Sequence, residues 1–379
     1  MEAIDKYLKE KTSNITFIEL KEKLFIELKD YTINEHIPLP IITSKLIAGI
    51  KDGGYEEEIR IADIIEGIVY TMGTDSQFPY IKEYKEILKS FDKDIINNIF
   101  YQAIMDLEEN KFDDGCIKLR ALLILDPKNT NIIFNYGLGI EALAKKFMEQ
   151  DIENGELFLN FSTYLFESIL EIDKCFVLAH YKLGYHYLYN KKYLKASLTW
   201  QKFVSLSDDE LLVQEIRNEL DYIEDDVVYE TGLTYLIYNE YGKSLDYLLK
   251  LIPRYKGNWN LNFLIGRCYK GLEQYDLAIK HINIALELNG NNPDLYNELG
   301  IIYSDIGDIN KAIEVFSKGI NSTSKDYKLF FNRGMSYVQL QEYMKALDDI
   351  NEAYTLEPSD DIKAQSEYIH NIVENLKCN

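Results

Sequence analysis

The stretch PDLYNELGIIYSDIGDINKAIEVFSKGINSTSKD, residues 293–326, decides the fold of this chain. Apolar residues recur every three to four positions on both sides of the glycine at Gly307, which is the spacing of two amphipathic helices joined by a turn. Gly300 and Ala312 place one small residue in each helix, and small residues let two helix backbones approach closely. The stretch therefore predicts a helical hairpin.

The same pattern recurs through the chain with a 34-residue period. Each glycine is followed after three positions by a tyrosine and after twelve by a small residue. The glycines are Gly232, Gly266, Gly300 and Gly334, the tyrosines Tyr235, Tyr269, Tyr303 and Tyr337, and the small residues Ser244, Ala278, Ala312 and Ala346. A fixed period of this length is typical of stacked repeats. We therefore expect an all-α chain.

These residues resemble the tetratricopeptide repeat (TPR) family, whose 34-residue pattern has Gly, Tyr, Ala, an aromatic and Pro at set positions. Residues 293–326 match that pattern at Tyr296, Leu299, Gly300, Tyr303, Ala312 and Phe316, while Arg333, Ser244 and Gly319 depart from it in their units. The resemblance implies a right-handed α-solenoid of TPR-type hairpins that binds other proteins.

The repeat frame extends upstream with decreasing regularity. Leu183, Gly184 and Tyr187 keep the pattern in one unit, and Ala103 takes the glycine position in the least typical one. We predict seven units, at 96–129, 130–176, 177–210, 225–258, 259–292, 293–326 and 327–360.

Two stretches interrupt the 34-residue period. The unit 130–176 is longer than the family repeat, with an insert near 144–158, and Asn154 with Gly155 predicts a helix end and a loop there. Residues 210–225 have apolar residues at helical spacing, which predicts an amphipathic segment that lengthens the preceding helix.

The two ends of the chain do not follow the repeat. Residues 1–95 predict a separate helical cap, in part from the helical spacing of residues 17–28. The segment 66–84 is interpreted as a loop that pins this cap onto the first repeat, with a partner-contact loop as the alternative. Residues 361–379 predict a capping helix with Ile362, Ile369, Ile372 and Val373 on its apolar side.

Composition argues against several classes of partner. The net charge is −22 and the pI is near 4.7, so the field of the protein repels nucleic acid and anionic membranes. The N-terminus is charged from its second residue and predicts neither a signal peptide nor an anchor. We expect a cytoplasmic protein, and the Ile-, Asn-, Lys- and Tyr-rich composition suggests a bacterial origin.

No pattern predicts catalysis, a metal or a cofactor. Gly137 and Gly139 lack the remainder of a phosphate-binding loop. His180 and His186 are six positions apart, on different helix faces, and His180 is predicted to be a packed core residue. The cysteines Cys116, Cys175, Cys268 and Cys378 are far apart in the sequence.

The resemblance implies a binding groove lined by the first helix of each hairpin. The fifth residues of the repeats, which face the groove in that family, are Phe100, Phe134, Tyr181, Tyr229, Phe263, Asn297 and Phe331. The next positions add Asn135, Lys182, Tyr185, Arg267, Lys270 and Asn332. Rigid aromatics with amides and cations between them suit a peptide or an amphipathic helix. The alternative is that these rings only pack against neighbouring helices.

Two functional hypotheses follow. In the first, the chain is a scaffold or adaptor that binds a protein segment in its groove. In the second, it is a peptide-sensing receptor that acts on a protein effector. Lys182, Arg267 and Lys270 could hold one carboxylate, but the net negative charge favours apolar to basic partners.

Overall fold

The computed structural model describes residues 2–21, 25–51 and 60–377. The chain forms two compact units, Met1–Asn218 and Glu219–Asn379, called unit 1 and unit 2 below. Cys378 lies outside the described residues. Unit 1 contains the N-terminal region and three hairpins, and unit 2 contains four hairpins and the last helix.

The N-terminal region of unit 1 contains strands as well as helices. Its elements are α1 (Glu2–Glu10), β1 (Ile15–Ile18), β2 (Ile26–Glu27), β3 (Thr32–Ile33), β4 (Leu39–Ile42), α2 (Thr43–Lys51), α3 (Ile61–Thr74) and α4 (Ile81–Phe91). Strand β1 pairs antiparallel with β4, and β2 with β3. The helical spacing of residues 17–28 is therefore a wrong guide, because residues 15–18 form a strand in register with Leu39–Ile42.

Seven helical hairpins follow within residues 95–356. Those of unit 1 are α5 (Ile95–Glu108) with α6 (Phe112–Leu125), α7 (Thr130–Met148) with α8 (Ile152–Ile172), and α9 (Val177–Tyr189) with α10 (Tyr193–Leu206). A further helix, α11 (Glu210–Tyr222), contains the boundary between the units. Those of unit 2 are α12 (Glu224–Ile237) with α13 (Tyr241–Leu251), α14 (Trp259–Gly271) with α15 (Tyr275–Leu288), α16 (Pro293–Ile306) with α17 (Ile309–Ser322), and α18 (Tyr327–Gln339) with α19 (Tyr343–Leu356).

The repeated glycine explains why the hairpins close tightly. At Gly300, a Cβ atom would overlap the ring of Phe316, and at Gly184 it would overlap the indole of Trp200. The spacing from glycine to aromatic is the same in both hairpins, and both aromatics are fully buried. In the longer second hairpin Gly137 packs on Phe166 instead. The wider spacing of that pair accommodates the insert predicted near 144–158.

Those extra residues do not form the loop expected at Asn154 and Gly155. They lengthen both helices of the hairpin, and the turn falls earlier, at residues 149–151. The side chain of Asp151 caps α8 by accepting from the backbone N–H of Asn154 (3.2 Å). Gly155 is buried within α8 against Met148 and the backbone of Ala144, a close crossing that a larger residue would prevent.

The amphipathic segment after residue 210 is also not an extension of the preceding helix. Ser207 is extended and ends α10. Asp209 then caps a new helix by accepting from the N–H groups of Leu211 (3.0 Å) and Leu212 (3.1 Å). Helix α11 is therefore separate, with Ile216 as its fully buried residue.

The N-terminal region packs on the first hairpins of unit 1. The ring of Tyr7 meets Phe147 and Phe158 edge-on at centroid distances of 5.2 and 5.6 Å. Its hydroxyl donates to Asp113, and Arg120 donates to Asp5 and to the carbonyl of Gly73. The lengthened ends of α7 and α8 thus hold helix α1.

Residues 66–84 form most of helix α3, a short turn and the start of α4, where the sequence predicts a loop. Phe78 in the turn stacks between Phe17 and Tyr84, at 5.3 and 5.6 Å. Arg120 contacts the end of α3 through the carbonyl oxygens of Gly73 and Thr74. The Arg120 contacts connect α3 to the first hairpin, whereas Phe78 stacks within the N-terminal region.

The last helix, α20 (Asp360–Lys377), packs on the final hairpin of unit 2. Ile362, Ile369 and Val373 are buried in one cluster with Phe330 and Ile350. The helix therefore covers the apolar face that the last repeat would otherwise expose.

Candidate functional site

The predicted groove residues lie on the first helices of the hairpins, and most are half-buried. Phe134 is an exception because it is 8% exposed and its ring packs against Phe166 and Phe176, both at 5.4 Å. Phe134 therefore belongs to the core. Phe100 is half-buried on α5, and the side chain of Asn135 donates to the carbonyl of Asn131 (2.8 Å).

Unit 1 brings Tyr181 and Tyr185 together on α9. Their rings meet edge-on at 5.3 Å, and Tyr185 also meets Trp200 at 4.9 Å. Both hydroxyls donate to one carboxylate oxygen of Glu215 on α11, from Tyr181 over 2.8 Å. Burial and this hydrogen bond raise the pKa of Tyr185 well above its ordinary value. Helix α11 thus supplies a polar partner to the two rings.

Lys182 lies beside this pair and contacts Glu141 on α7. Sequence reasoning missed Glu141, which is 8% exposed and is contacted by Lys145 and Lys182, both at 2.8 Å. Burial raises the pKa of Glu141, but His186, Lys182 and Lys145 outweigh it, so the net pKa lies well below the ordinary range. A carboxylate among the apolar residues of IEALA, 140–144, was the available signal.

His186 is a second residue of this site that sequence reasoning did not predict. It is 4% exposed, and its Nε2 lies 3.7 Å from the Glu141 carboxylate. With Tyr181, Lys182 and Tyr185 these two residues line a cleft of 450 Å³ between α7 and α9. His180, by contrast, is the packed core histidine that the sequence predicts, with Nε2 at 3.0 Å from the carbonyl of Lys174.

Unit 2 brings Tyr229, Phe263 and Arg267 to the first helices of neighbouring hairpins. The Tyr229 hydroxyl accepts from the side chain of Asn260 (2.6 Å), and burial raises the pKa of Tyr229. The guanidinium of Arg267 lies 5.9 Å from the centre of the Phe263 ring, a cation–π distance. Both rings are half-buried.

The remaining predicted residues of unit 2 are already paired. Lys270 contacts Glu298 (3.1 Å) and Asp305 (3.9 Å). Asn332 donates to the side chain of Asn297 (2.7 Å). Phe331 is half-buried against the cluster that the last helix covers.

The three residues predicted to bind a carboxylate of a partner differ in their ion pairs within the protein. Lys182 and Lys270 both have carboxylate partners within the protein. Arg267 is exposed and forms no ion pair with another residue of 60–377. Of the three candidates, only Arg267 is left to meet an anionic group of a partner.

The described residues offer neither a metal site nor a membrane span. No group of three or more His, Cys, Asp or Glu side chains there could hold a metal ion. No helix there combines the length and the apolar character needed to cross a membrane.

Family models of the tetratricopeptide repeat match residues 260–292, 282–314 and 327–360. The segments lie in unit 2, where the 34-residue period is regular. The chain therefore contains tetratricopeptide repeats, and the remaining predicted units have the same hairpin form in the structure.

Three curated proteins are similar over part of their length. BBSome complex member BBS4 of Bos taurus is 32% identical over 102 residues, which cover 27% of this chain and 20% of that protein. Dynein axonemal assembly factor 4 of Pan troglodytes is 29% identical over 111 residues, covering 27% and 26%. Anaphase-promoting complex subunit CDC16 of Saccharomyces cerevisiae is 28% identical over 101 residues, covering 25% and 12%. The chain thus spans about a quarter or less of these relatives.

Two solved structures align with this chain. A thermophilic TPR protein of Thermus thermophilus has a TM-score of 0.35 and 14% identity, and the alignment covers 51% of this chain and 98% of that one. A tetratricopeptide repeat protein of Parabacteroides merdae has the same TM-score and identity, with coverages of 73% and 98%.

Proposed function

We propose that this chain is a protein-interaction scaffold that binds a peptide or protein segment along the first helices of its hairpins, in the concave groove. The observation that carries the proposal is the set of half-exposed aromatics in both units, Tyr181 and Tyr185 in unit 1 and Tyr229 and Phe263 in unit 2. Such rings offer apolar contact area at low entropic cost.

The names of similar proteins agree with this role. BBS4 is a member of the BBSome complex, CDC16 is a subunit of the anaphase-promoting complex, and dynein axonemal assembly factor 4 is an assembly factor. The similarity covers about a quarter of this chain, and these names support a binding role.

The partner segment is apolar to basic. The net charge of −22 attracts basic segments and repels acidic ones, nucleic acid and anionic membrane surfaces. Most groove cations are already paired within the protein, which leaves Arg267 as the one groove residue suited to an acidic group. Association should slow as salt rises, because charges are screened over about 8 to 10 Å at physiological ionic strength.

The chain acts in the cytoplasm and carries out no reaction of its own. Both statements rest on the repeat content and on the sequence pattern described above. The predicted bacterial origin rests on composition alone, and the curated relatives described above are eukaryotic.

The experiment compares capture of partners by groove and control variants. Partners are captured from the native lysate by the wild type, identified by mass spectrometry, and titrated against the Tyr181→Ala, Phe263→Ala double variant. Loss of about 1 to 3 kcal/mol for each ring is expected at central positions of an interface. The matched control is Tyr164→Ala, Tyr368→Ala, which removes two exposed tyrosines from α8 and α20.

Circular dichroism and thermal unfolding establish that both double variants are folded. Full binding by the folded groove variant would refute the groove proposal, and so would an equal loss in the control. A tightly bound partner with an acidic segment, or a basic partner that binds more tightly at high salt, would contradict the assignment of partner charge.

A further inference from the structure

A half-buried carboxylate lies beside the two tyrosines of α9 without a cation to balance its charge. The hydroxyls of Tyr181 and Tyr185 both donate to Oε1 of Glu215, which belongs to α11. The second carboxylate oxygen, Oε2, accepts from no described residue and is not closed to solvent. Within the part of the chain that the structure describes, Glu215 forms no ion pair. Two neutral phenols stabilise a carboxylate but leave its charge in place.

Other carboxylates in comparable contacts are already neutralised. Glu167 accepts from the hydroxyl of Tyr187 (2.7 Å) and also pairs with Lys195 (2.9 Å). In unit 2, Glu298 pairs with Lys270 (3.1 Å). The carboxylate on α11 differs from both, because its contacts supply hydrogen bonds and no positive charge.

Two cations lie close to this carboxylate in the sequence but are directed elsewhere. Lys182 follows Tyr181, and its ammonium lies 2.8 Å from the carboxylate of Glu141. Arg217 is exposed on α11 two positions after Glu215, and residues two apart on a helix do not face each other. The described residues therefore leave the negative charge of Glu215 to a group of a partner.

The chemistry of the site favours a cationic group. A second carboxylate would be repelled by Glu215, and an apolar group would cover Oε2 without a hydrogen bond, which is costly. A cation can meet Oε2 and also contact the tyrosine rings by a cation–π interaction. The rings are already held in place, by their shared acceptor and by edge-on contacts of 5.3 Å with each other and 4.9 Å from Tyr185 to Trp200. Binding therefore requires little further ordering of the protein.

We propose that Glu215, Tyr181 and Tyr185 bind the cationic side chain of an arginine or lysine of the partner segment. The cation pairs with Oε2 of Glu215 and packs on the tyrosine rings. One repeat length of 34 residues separates Glu215 from Tyr181, so α11 adds to the groove a position that the regular hairpins do not supply. The inference rests on the proposed groove-binding function and names the residue type that unit 1 selects.

The test uses short peptides, because they do not require the natural partner. Three probes have the form acetyl-Ser-Leu-Xaa-Leu-Ser-amide, with arginine, citrulline or glutamate as the central residue. Citrulline keeps the length and shape of arginine but is uncharged, so this pair isolates the effect of charge. The arginine peptide is expected to bind about tenfold more tightly than the citrulline peptide at low salt, and the glutamate peptide more weakly than either.

Affinity and location are measured together by nitrogen-15 NMR of the tryptophan indoles. Trp200 Nε1 donates to the carbonyl of Tyr181 (3.2 Å), and the ring of Trp200 contacts Tyr185. Its indole N–H signal therefore reports on the proposed site. The chain has two tryptophans, and Trp259 in unit 2 provides a reference signal that the peptides should not shift.

The variant Glu215→Gln keeps an oxygen for the two tyrosine hydroxyls and removes the charge. It should bind the arginine and citrulline peptides within about twofold of each other. The matched control is Glu167→Gln, which makes the same change in net charge beside another tyrosine, at a carboxylate already paired with Lys195. That control should keep the tenfold preference. Loss of the preference in both variants would show that the overall negative field selects arginine, and it would overturn the proposal.

A second measurement uses the wild type alone and keeps the proposal testable if a variant fails to fold. A crystal structure of the complex with the arginine peptide should place the guanidinium at Oε2 of Glu215, against the rings of Tyr181 and Tyr185. A guanidinium bound at any other carboxylate would overturn the proposal.

The outcomes also separate this inference from the function on which it rests. Equal binding of the arginine and citrulline peptides to the wild type would refute selection of a cation and leave groove binding intact. Absence of a shift of the Trp200 signal with all three peptides would refute the site itself. If partners are still captured by the wild type but not by the Tyr181→Ala, Phe263→Ala variant, the proposed function survives either failure.

Discussion

The two units build the same hairpin but differ in what they add to it. Unit 2 keeps the 34-residue period through four hairpins, and its groove residues make short contacts between neighbouring first helices, such as Tyr229 with Asn260. Unit 1 departs from the period, and each departure has a structural use. The extra turns of α7 and α8 hold helix α1, and α11 supplies Glu215 to the tyrosines of α9. Regular repeats thus supply the scaffold, and the irregular lengths supply its particular contacts.

The two units can be compared directly at the fifth residue of the repeat, which is Phe134 in unit 1 and Phe263 in unit 2. Phe134 is packed between two rings, whereas Phe263 is half-buried. Phe134→Ala should lower the free energy of unfolding by about 3 to 4 kcal/mol, the range for a buried aromatic. Phe263→Ala should cost about 1 kcal/mol of stability and mainly weaken partner binding. Urea unfolding measures both, and equal losses of stability would show that the two positions have the same role.

The docking of the N-terminal region on unit 1 is tested at Gly73. A Cβ atom there would overlap the backbone carbonyl of Ile117, which cannot rotate away. Gly73→Ala should therefore force α3 from α6 and cost about 3 kcal/mol, at the upper end for overpacking. The control is Gly242→Ala in unit 2, where a Cβ meets nothing within 4 Å and alanine should be neutral or slightly stabilising. Unfolding of the Gly73 variant at the wild-type urea concentration would mean that α3 is not held as described.

The regular part of this fold could be predicted from sequence because its cause is local. The glycine of the first helix and the bulky residue of the second helix must meet, so their constant spacing records the packing directly. The N-terminal strands could not be predicted, since the pairing of Phe17 with Pro40 depends on distant residues. The same limit applies to the site. The stripe of aromatics is visible in the repeat, but the meeting of Glu141 and His186 depends on how α7 and α9 pack.

Sequence could also not show which residues of the stripe are free. Phe134 and Phe263 hold the same repeat position, and the difference comes from Phe166 and Phe176, which close over Phe134. From the sequence, both Lys182 and Arg267 are expected to place a positive charge in the groove. Only the fold shows that Glu141 neutralises the first of them.

The carboxylate of Glu141 in unit 1 should give a pH-dependent contribution to stability. Because the pKa of Glu141 is lowered on folding, its contribution is complete above the unfolded value of about 4.3 and is lost as pH falls toward the folded value. Glu141→Gln leaves two lysines without a carboxylate and should cost about 2 kcal/mol at pH 7. The cost should shrink at about pH 3, because there the Glu141 carboxyl is protonated in the unfolded wild type while it is still ionised in the folded protein.

The comparison variant for this measurement is Glu298→Gln in unit 2. Glu298 contacts one half-buried lysine, Lys270, rather than two lysines and a histidine. Its loss should be about 1 kcal/mol at pH 7, within the range for a partly exposed pair. If the cost of Glu141→Gln did not diminish between pH 7 and pH 3, its carboxylate would not be the stabilising form.

The smallest expected effect concerns the hairpin turn, the feature that both units share. Non-glycine residues take the left-handed conformation there, including Lys191 (φ 54°) in unit 1 and Gln341 (φ 61°) in unit 2, while Gly307 (φ 91°) takes it as glycine. The conformation costs a residue with a Cβ about 1 to 2 kcal/mol, and glycine loses about 1 kcal/mol more chain entropy on folding. Lys191→Gly and Gln341→Gly should therefore each stabilise the protein by about 0.5 kcal/mol. Gly307→Ala should cost about 1 kcal/mol, since its Cβ would meet nothing within 4 Å and strain alone acts. The urea midpoint of unfolding should rise for both Lys191→Gly and Gln341→Gly. If it rose for one of them and not for the other, the hairpin turns of the two units would not be equivalent, and the units would then differ in the hairpin itself.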